Sequence, residues 1–529
     1  MMRMRYNKAI VLAFLLLMSL TIRSINPSTL GVDFGSSWDE GHHALLTENI
    51  LKDPIHNIVF PTLSLKNGER IIGDMPPFFD VIGSIFVFTF GYSPEIMRTT
   101  SIIFGSLTVL IFFLLTNLLF DRKHALLSAT IFALFPLHIA LSRIYLYVVF
   151  ELFLTILTSY FLILGVKNKK DSYLFMVALL VCLNFLTRYE FGLFFIAGTL
   201  FWLFLRSKNT SAWKTFKKYL LSFMIGIIAF FIWPLMLWLN SEKYISIFPP
   251  ANNIWENLFV NNGINYLDIS FRKVFEGYNW TGSLYPSYLF SGWNIIYTFL
   301  IITGTLIAIY RFYKKVIVQK RRISNNGLVL IWVLAFLPIH FTNHVVQHLS
   351  ALIPVFSISM AIIILEINRI SVKIKRRSRM YWRKIITTFN ILILLFLILS
   401  PLNMIFSGKE ILYETNYEKM GEYVSSRTEG YEYSAICEYL YGFWYYADKR
   451  CYPYLGVYGY SNKNVKYFIE NNITRFVDVK NMDKGVSINN NDYEWLKNNC
   501  ENMNKEVGIT NQSKHYLYDC KNYIDNILS

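Results

Sequence analysis

At 529 residues, of which 54% are hydrophobic and 17% aromatic but only 16% charged, and with a mean hydropathy of +0.36, the chain is too apolar for an ordinary water-soluble enzyme. Its formal net charge of +16 does not mark a nucleic-acid binder, because the Lys and Arg residues fall in short clusters between apolar runs, as orientation signals facing a cytoplasm and anionic lipid do. No zinc-finger spacing or other nucleic-acid module accompanies them, so composition predicts a polytopic α-helical membrane protein.

In chain order, apolar runs of the roughly 17 to 25 residues that a membrane-crossing helix needs are placed at 8–25, 98–120, 124–141, 146–166, 172–187, 189–206, 219–239, 287–310, 327–342, 346–366 and 385–405. That makes about eleven spans. The first carries a basic n-region (Arg3, Arg5, Lys8) like that of a signal peptide, but its flank from Thr21 to Pro27 lacks a small-x-small cleavage site. It is read as a retained helix with a cytoplasmic N-terminus. The apolar stretch Phe78 to Phe90, about 13 residues long, decides the parity. If it does not cross, every strongly basic connector lies on the side of the basic N-terminus: Arg122-Lys123; Lys167, Lys169 and Lys170; Arg206 to Lys218; Arg311 to Arg322; Arg369 to Lys384. If it crosses, all five flip. The non-crossing topology of a multi-pass cell-membrane protein leaves outside a first loop (26–97), turns near Arg143 and Arg188, a loop from Asn240 to about Pro286, and a tail (406–529).

Within the first outer loop, Ser36-Ser37-Trp38-Asp39 followed by GHHALLTENILK reads as a capped amphipathic helix lying along the membrane, with Ala44, Leu45, Ile50 and Leu51 apolar. It carries the adjacent acids Asp39 and Glu40. Pro76-Pro77 then opens a second short helix. Arg98, Arg143 and Arg188 each stand at an outer helix end. A lone arginine there is most often one that snorkels. Three on the side that carries Asp39 and Glu40 shift the balance toward an anion site, since a guanidinium grips phosphate with a planar fork, and suggest a lipid-linked phosphate in the outer leaflet. His344 and His348, spaced i, i+4, can donate to phosphate, bind a metal if a third ligand comes from elsewhere, or be ordinary interfacial histidines. These residues alone do not give the reaction.

The tail is polar, rich in Asn and Tyr, and holds Cys437, Cys451, Cys500 and Cys520 on the side where disulfides persist. Four cysteines allow three connectivities; Cys437 with Cys451 and Cys500 with Cys520 is the expected one. Cys182 lies in a span and packs there. NKNVKYFIENN reads as a helix, TRFVDVK and KHYLYDC as strands, giving a small extracytoplasmic α/β domain that covers the catalytic face, binds acceptor or adds stability.

A series of motifs gives these features a family context: DE in the first outer loop, GDMPPFF opening the short helix, MRTTSIIFGSLTVL, the basic turn FDRKHALL, and PLHIALSR. Their order, over roughly residues 8 to 360, resembles the GT-C glycosyltransferase superfamily, and within it the protein O-mannosyltransferase and aminoarabinose transferase branch. The resemblance implies a membrane domain (1–405) that moves a sugar, with inversion, from a polyprenyl (dolichyl or undecaprenyl) monophosphate to a protein, lipid or glycan acceptor. It implies Asp39 as the base that takes the acceptor proton, with Glu40 as its positioning partner or a metal ligand. An acid pair that merely caps a helix is the alternative. Arg98, Arg143, Arg188, His344 and His348 are the implied phosphate ligands. The pattern is broken at Met75, where the family often has Lys and where Asp74 precedes, and at Tyr147, where an acid is usual and the nearest is Glu151; Asp74 and Glu151 are therefore further candidate acids. No cofactor is assigned, and a divalent cation stays open.

Two other functions remain in play. A transporter of lipid-linked saccharide would place ionisable residues near the midplane on broken helices, whereas here the charges gather at outer helix ends. An oligosaccharyltransferase-like enzyme would use a lipid pyrophosphate, and the DE pair and PP helix fit the monophosphate branch better.

Overall fold

The computed structural model describes residues 2–25, 38–59, 62–64, 70–72, 76–188, 191–206, 210–239, 245–246, 294–319, 325–342, 350–375, 388, 391–393, 395–400, 402–403, 417–427, 435–437, 452–453, 465–471, 474–482, 485–486, 490–507 and 515–528. Helices dominate. The first part contains α1 (Met2–Ser24), α2 (Trp38–Lys52), α3 (Pro54–Val59), α4 (Phe78–Phe90), α5 (Pro94–Leu119), α6 (Arg122–Ala133), α7 (Pro136–Arg143), α8 (Tyr147–Asn168), α9 (Leu174–Phe185), α10 (Phe191–Arg206) and α11 (Thr210–Leu239). Three more long helices follow: α12 (Asn294–Tyr313), α13 (Asn325–Thr342) and α14 (Ile353–Lys375).

Helices at Pro94–Leu119, Tyr147–Asn168, Ala212–Ile232, Ile296–Tyr313 and Ser350–Ile370 are long and apolar enough to cross a membrane, and the α6–α7 pair adds a sixth if it counts as one bent span. The remaining expected runs fall on shorter apolar helices, such as Ala9–Ser24 and Phe195–Arg206. Large apolar side chains face outward along them, among them Phe14, Phe175, Leu221, Ile228, Phe299 and Leu306. So much exposed hydrocarbon suits lipid and not water, and the chain is a membrane protein.

The α4 helix has 13 residues, so it rises only about 20 Å, less than the hydrocarbon thickness of roughly 30 Å. It packs on α2 and α5. One expected span is not straight. The 124–141 run breaks between α6 and α7 with a 54° bend, because Pro136 has no amide hydrogen to continue the ladder and holds Phe135 extended. Around this break α5 is the central element, packed on α1, α6, α7 and α8. It starts with Ser93 Oγ accepting from Ile96 N at 3.3 Å and with Pro94 in its first turn.

The expectation of an amphipathic surface helix at α2 is corrected. Every residue from Glu40 to Thr47 is buried, polar and apolar alike. The polar residues His42, His43, Thr47 and Asn49 are buried, with His43 and Thr47 held against α4 and the 145–147 segment.

Among the described residues two sheets accompany the helices. Strand β1 (Thr62–Ser64) pairs antiparallel with β2 (Arg70–Ile72), which pairs parallel with β3 (Ile245–Ser246), tying the first loop to a later one. The C-terminal part is α/β: α15 (Tyr417–Ser425), β4 (Ala435–Cys437), β5 (Tyr452–Pro453), α16 (Val465–Glu470), β6 (Phe476–Met482), β7 (Gly485–Val486), α17 (Asn490–Asn499), β8 (Glu501–Asn502), α18 (Asn504–Val507), β9 (His515–Asp519) and α19 (Lys521–Leu528). Its sheet runs β5-β4-β6-β9-β8, with β7 paired to β6. Val465, Ile469, Val477, Leu496, Tyr518 and Ile524 form its core, and Arg475 clamps Asp519 bidentately. Cys500 and Cys520 form the expected disulfide. A Cys437–Cys451 bond lies outside the described residues.

Candidate active site

The acid helix is fastened to the bundle by Glu40, one of its adjacent acid pair. Glu40 and Arg98 are both fully buried; Arg98 Nε donates to Glu40 Oε1 at 2.9 Å and Nη2 to Oε2 at 3.1 Å. Glu40 Oε1 also accepts from the Tyr145 amide at 2.8 Å. One carboxylate thus joins α2, α5 and the segment after α7. From the sequence, Arg98 is assigned to the carrier phosphate and Glu40 to Asp39 or a metal; in the structure the two side chains meet each other in a charge-assisted fork.

One helical turn further along α2, His43 Nδ1 lies 2.9 Å from Asp80 Oδ1 on α4, both groups buried. Burial pushes the Asp80 carboxyl well above the usual carboxylate range, with the nearby His42 opposing that shift. The His43 ring is boxed by aromatics: Phe79 at 5.3 Å, Tyr145 at 6.3 Å and Tyr147 at 5.4 Å between centroids. Tyr145 shares a 2.7 Å hydrogen bond with Thr47 Oγ1 and lies directly over Gly83, where any Cβ would overlap its hydroxyl. The face of Tyr147 carries the half-buried Arg188 guanidinium, 4.8 Å from the centroid. Arg188 is also close to the start of α4, since the Phe78 amide donates to Leu186 O at 3.1 Å.

Arg143, at the end of α7, donates from Nη2 to Ile25 O at 2.9 Å. The same short helix is held by Arg23 of α1, which donates to Ala133 O at 3.2 Å and to His138 Nδ1 at 2.6 Å. An arginine only donates, so His138 carries its proton on Nε2. Ala133 is the last residue of α6, and Arg23 caps the carbonyl end that the Pro136 break exposes. Glu151 lines a crevice with Val148, Leu152, Thr155, Phe195, Ser350 and Ala351, and Asn184 bonds Thr155 Oγ1 at 2.8 Å beside it.

Asp39 belongs to α2, but its side chain, with Asp74, His344 and His348, lies outside the described residues. Among the described residues no group of three or more His, Cys, Asp or Glu side chains could hold a metal ion.

Residues 74–238 match the model of the family described as dolichyl-phosphate-mannose-protein mannosyltransferase. No curated protein matches the chain. Among solved structures, it is similar to the oligosaccharyltransferase AglB of Archaeoglobus fulgidus in complex with an inhibitory peptide and a dolichol-phosphate, with a TM-score of 0.61 at 15% identity over 90% of this chain and 69% of that one. The likeness to ArnT of Cupriavidus metallidurans bound to undecaprenyl phosphate has a TM-score of 0.55 at 10% identity and covers 96% and 97% of the two chains. The chain therefore shares the fold of these membrane glycosyltransferases, and its residues 74–238 match the mannosyltransferase family.

The matched segment contains Arg98, Arg143, Glu151 and Arg188. It also contains residues that the sequence did not single out for the site: Asp80, Tyr145 and His138, with His43 and Arg23 contributed from before it. His43 stood inside the singled-out DEGHHALL stretch, and His138 inside PLHIALSR. No spacing rule connects either to its partner, because each pair is made between helices far apart in sequence.

Proposed function

We propose that this chain is a GT-C glycosyltransferase that transfers one sugar, with inversion, from a polyprenyl monophosphate carrier to an acceptor hydroxyl on the extracytoplasmic side of the cell membrane. The observation that carries the proposal is the family match over 74–238, onto which α2 and its acid pair dock through the buried Glu40–Arg98 fork. The carriers bound by the two solved relatives, dolichol-phosphate and undecaprenyl phosphate, support the same donor class.

In the reaction the acceptor oxygen bonds to the anomeric carbon as the carbon–oxygen bond to phosphate breaks and the phosphate leaves with the electron pair. Asp39 takes the hydroxyl proton. Glu40 sets the helix that carries Asp39, since both its oxygens accept from Arg98. Arg143 and Arg188, with His344 and His348, hold the phosphate and stabilise the charge it gains. Arg98, with Nε and Nη2 given to Glu40, adds positive charge behind them. The C-terminal α/β part faces the acceptor.

A second donor class is favoured by one observation, the higher TM-score with an oligosaccharyltransferase. At 15% identity that likeness is one of fold, so the donor is decided by experiment. The full chain in nanodiscs is offered dolichyl and undecaprenyl monophosphate sugars and the corresponding pyrophosphates, with mass spectrometry of glycoproteins and glycolipids from a strain lacking the protein naming sugar and acceptor. Transfer from the monophosphates is expected. Transfer from pyrophosphates alone overturns the proposal.

A further inference from the structure

The His43–Asp80 pair takes no part in the chemistry described above, yet it is costly to bury. Asp80 is 0% and His43 1% exposed. Asp80 Oδ1 meets His43 Nδ1 at 2.9 Å, while Asp80 Oδ2 has no hydrogen-bond partner among the described residues. A buried carboxyl with one oxygen unsatisfied is poor cement, and two apolar side chains of similar volume would hold α2 to α4 at least as well. What the pair does that an apolar contact does not is fix the plane and tautomer of one imidazole.

That imidazole leads to a cation. Its ring lies 5.4 Å from Tyr147 at an interplanar angle of 56°, and the Tyr147 face holds the Arg188 guanidinium at 4.8 Å. The helix that carries Asp80 reaches the same turn through its backbone, where Phe78 N donates to Leu186 O and Arg188 N to Asn184 O. The His43 ring also meets His42, Phe79 and Tyr145 edge-on, so the orientation that Asp80 imposes is carried into a cluster of ring contacts.

We propose that Asp80 is a positioning residue for Arg188, acting through the His43 imidazole and the Tyr147 ring to aim the guanidinium at a lipid-linked phosphate. The ligand follows from the proposed donor class, while the coupling itself follows from the contacts.

The test measures binding of undecaprenyl phosphate to the full chain in nanodiscs. Arg188→Ala and Asp80→Ala are each expected to weaken binding about tenfold, the range of one guanidinium contact. Asp80→Asn should keep affinity within about threefold, because an amide can accept from or donate to His43 Nδ1. The Asp80→Ala/Arg188→Ala double variant should bind no more weakly than Arg188→Ala. A His43→Leu/Asp80→Leu variant separates support from positioning: it should melt no lower than the wild type and still bind as weakly as Arg188→Ala. Wild-type affinity in Asp80→Ala or in Arg188→Ala overturns the inference, as does a loss in the double variant equal to the product of the single losses. Those ratios found in a chain that transfers no sugar would sustain the inference and remove the proposed function; transfer through an Arg188→Ala protein that binds undecaprenyl phosphate normally would do the opposite.

Discussion

Two adjacent acids divide into different environments at Asp39 and Glu40. Glu40 is spent on Arg98, 58 residues away, in a pair buried on both sides. Removing one partner of such a pair leaves the other charge buried and uncompensated, which costs about 3–5 kcal/mol. Glu40→Leu should therefore lower thermal stability in detergent by that order, with Glu40→Gln milder because an amide still accepts from Arg98; an unchanged melting temperature in both would refute the anchoring role. The acid pair itself was legible in the sequence, since two carboxylates beside an apolar span are conspicuous. Its pairing was not. An arginine opening a span looks the same whether it faces phosphate or a carboxylate, and nothing local tells that α2 turns inward to meet it.

At the scale of elements, the contacts around the 145–147 segment depend on close approach. Tyr145 covers Gly83 of α4 with its hydroxyl while its amide binds Glu40 and its hydroxyl meets Thr47. Gly83→Val must displace that ring, an overpacking that costs about 1–3 kcal/mol. It should depress transfer at least about tenfold, whereas Gly91→Ala, with nothing within 4 Å, should keep its effect local to the strained turn at φ +95°. Equal activity in Gly83→Val and wild type would contradict the packing described. Element existence was largely legible, because apolar runs and the Pro76-Pro77 and Pro136 signals sit in the sequence. The bend was missed, since hydropathy averaged over 124–141 does not register a single missing amide. The amphipathic reading of α2 failed for a related reason: His42, His43, Thr47 and Asn49 are polar by type, and the partners of His43 and Thr47, on α4 and after α7, are too distant in sequence to announce a buried polar core.

Across the whole molecule, an apolar-surfaced bundle is joined to a polar α/β part. Strands β6 and β9 were legible from their alternation, whereas their antiparallel pairing and the parallel partners β4 and β5 were not, because pairing depends on segments brought together from a distance. The Cys500–Cys520 bond closes a separation of 20 residues, worth about 3 kcal/mol in lost unfolded-state freedom. Replacing both cysteines by serine should lower the stability of the C-terminal part by that order, seen as earlier proteolysis within 417–528, and should leave the fold of the bundle intact. Identical proteolysis with and without the bond would show that it contributes nothing.

The central claim, that Asp39 is the base of a polyprenyl-monophosphate-dependent sugar transfer, is tested most directly by Asp39→Asn in the purified full chain. With a polyprenyl monophosphate sugar as donor, turnover should fall by about 10² to 10⁴-fold, with protein yield and undecaprenyl phosphate binding preserved. Undiminished turnover in Asp39→Asn would contradict the account.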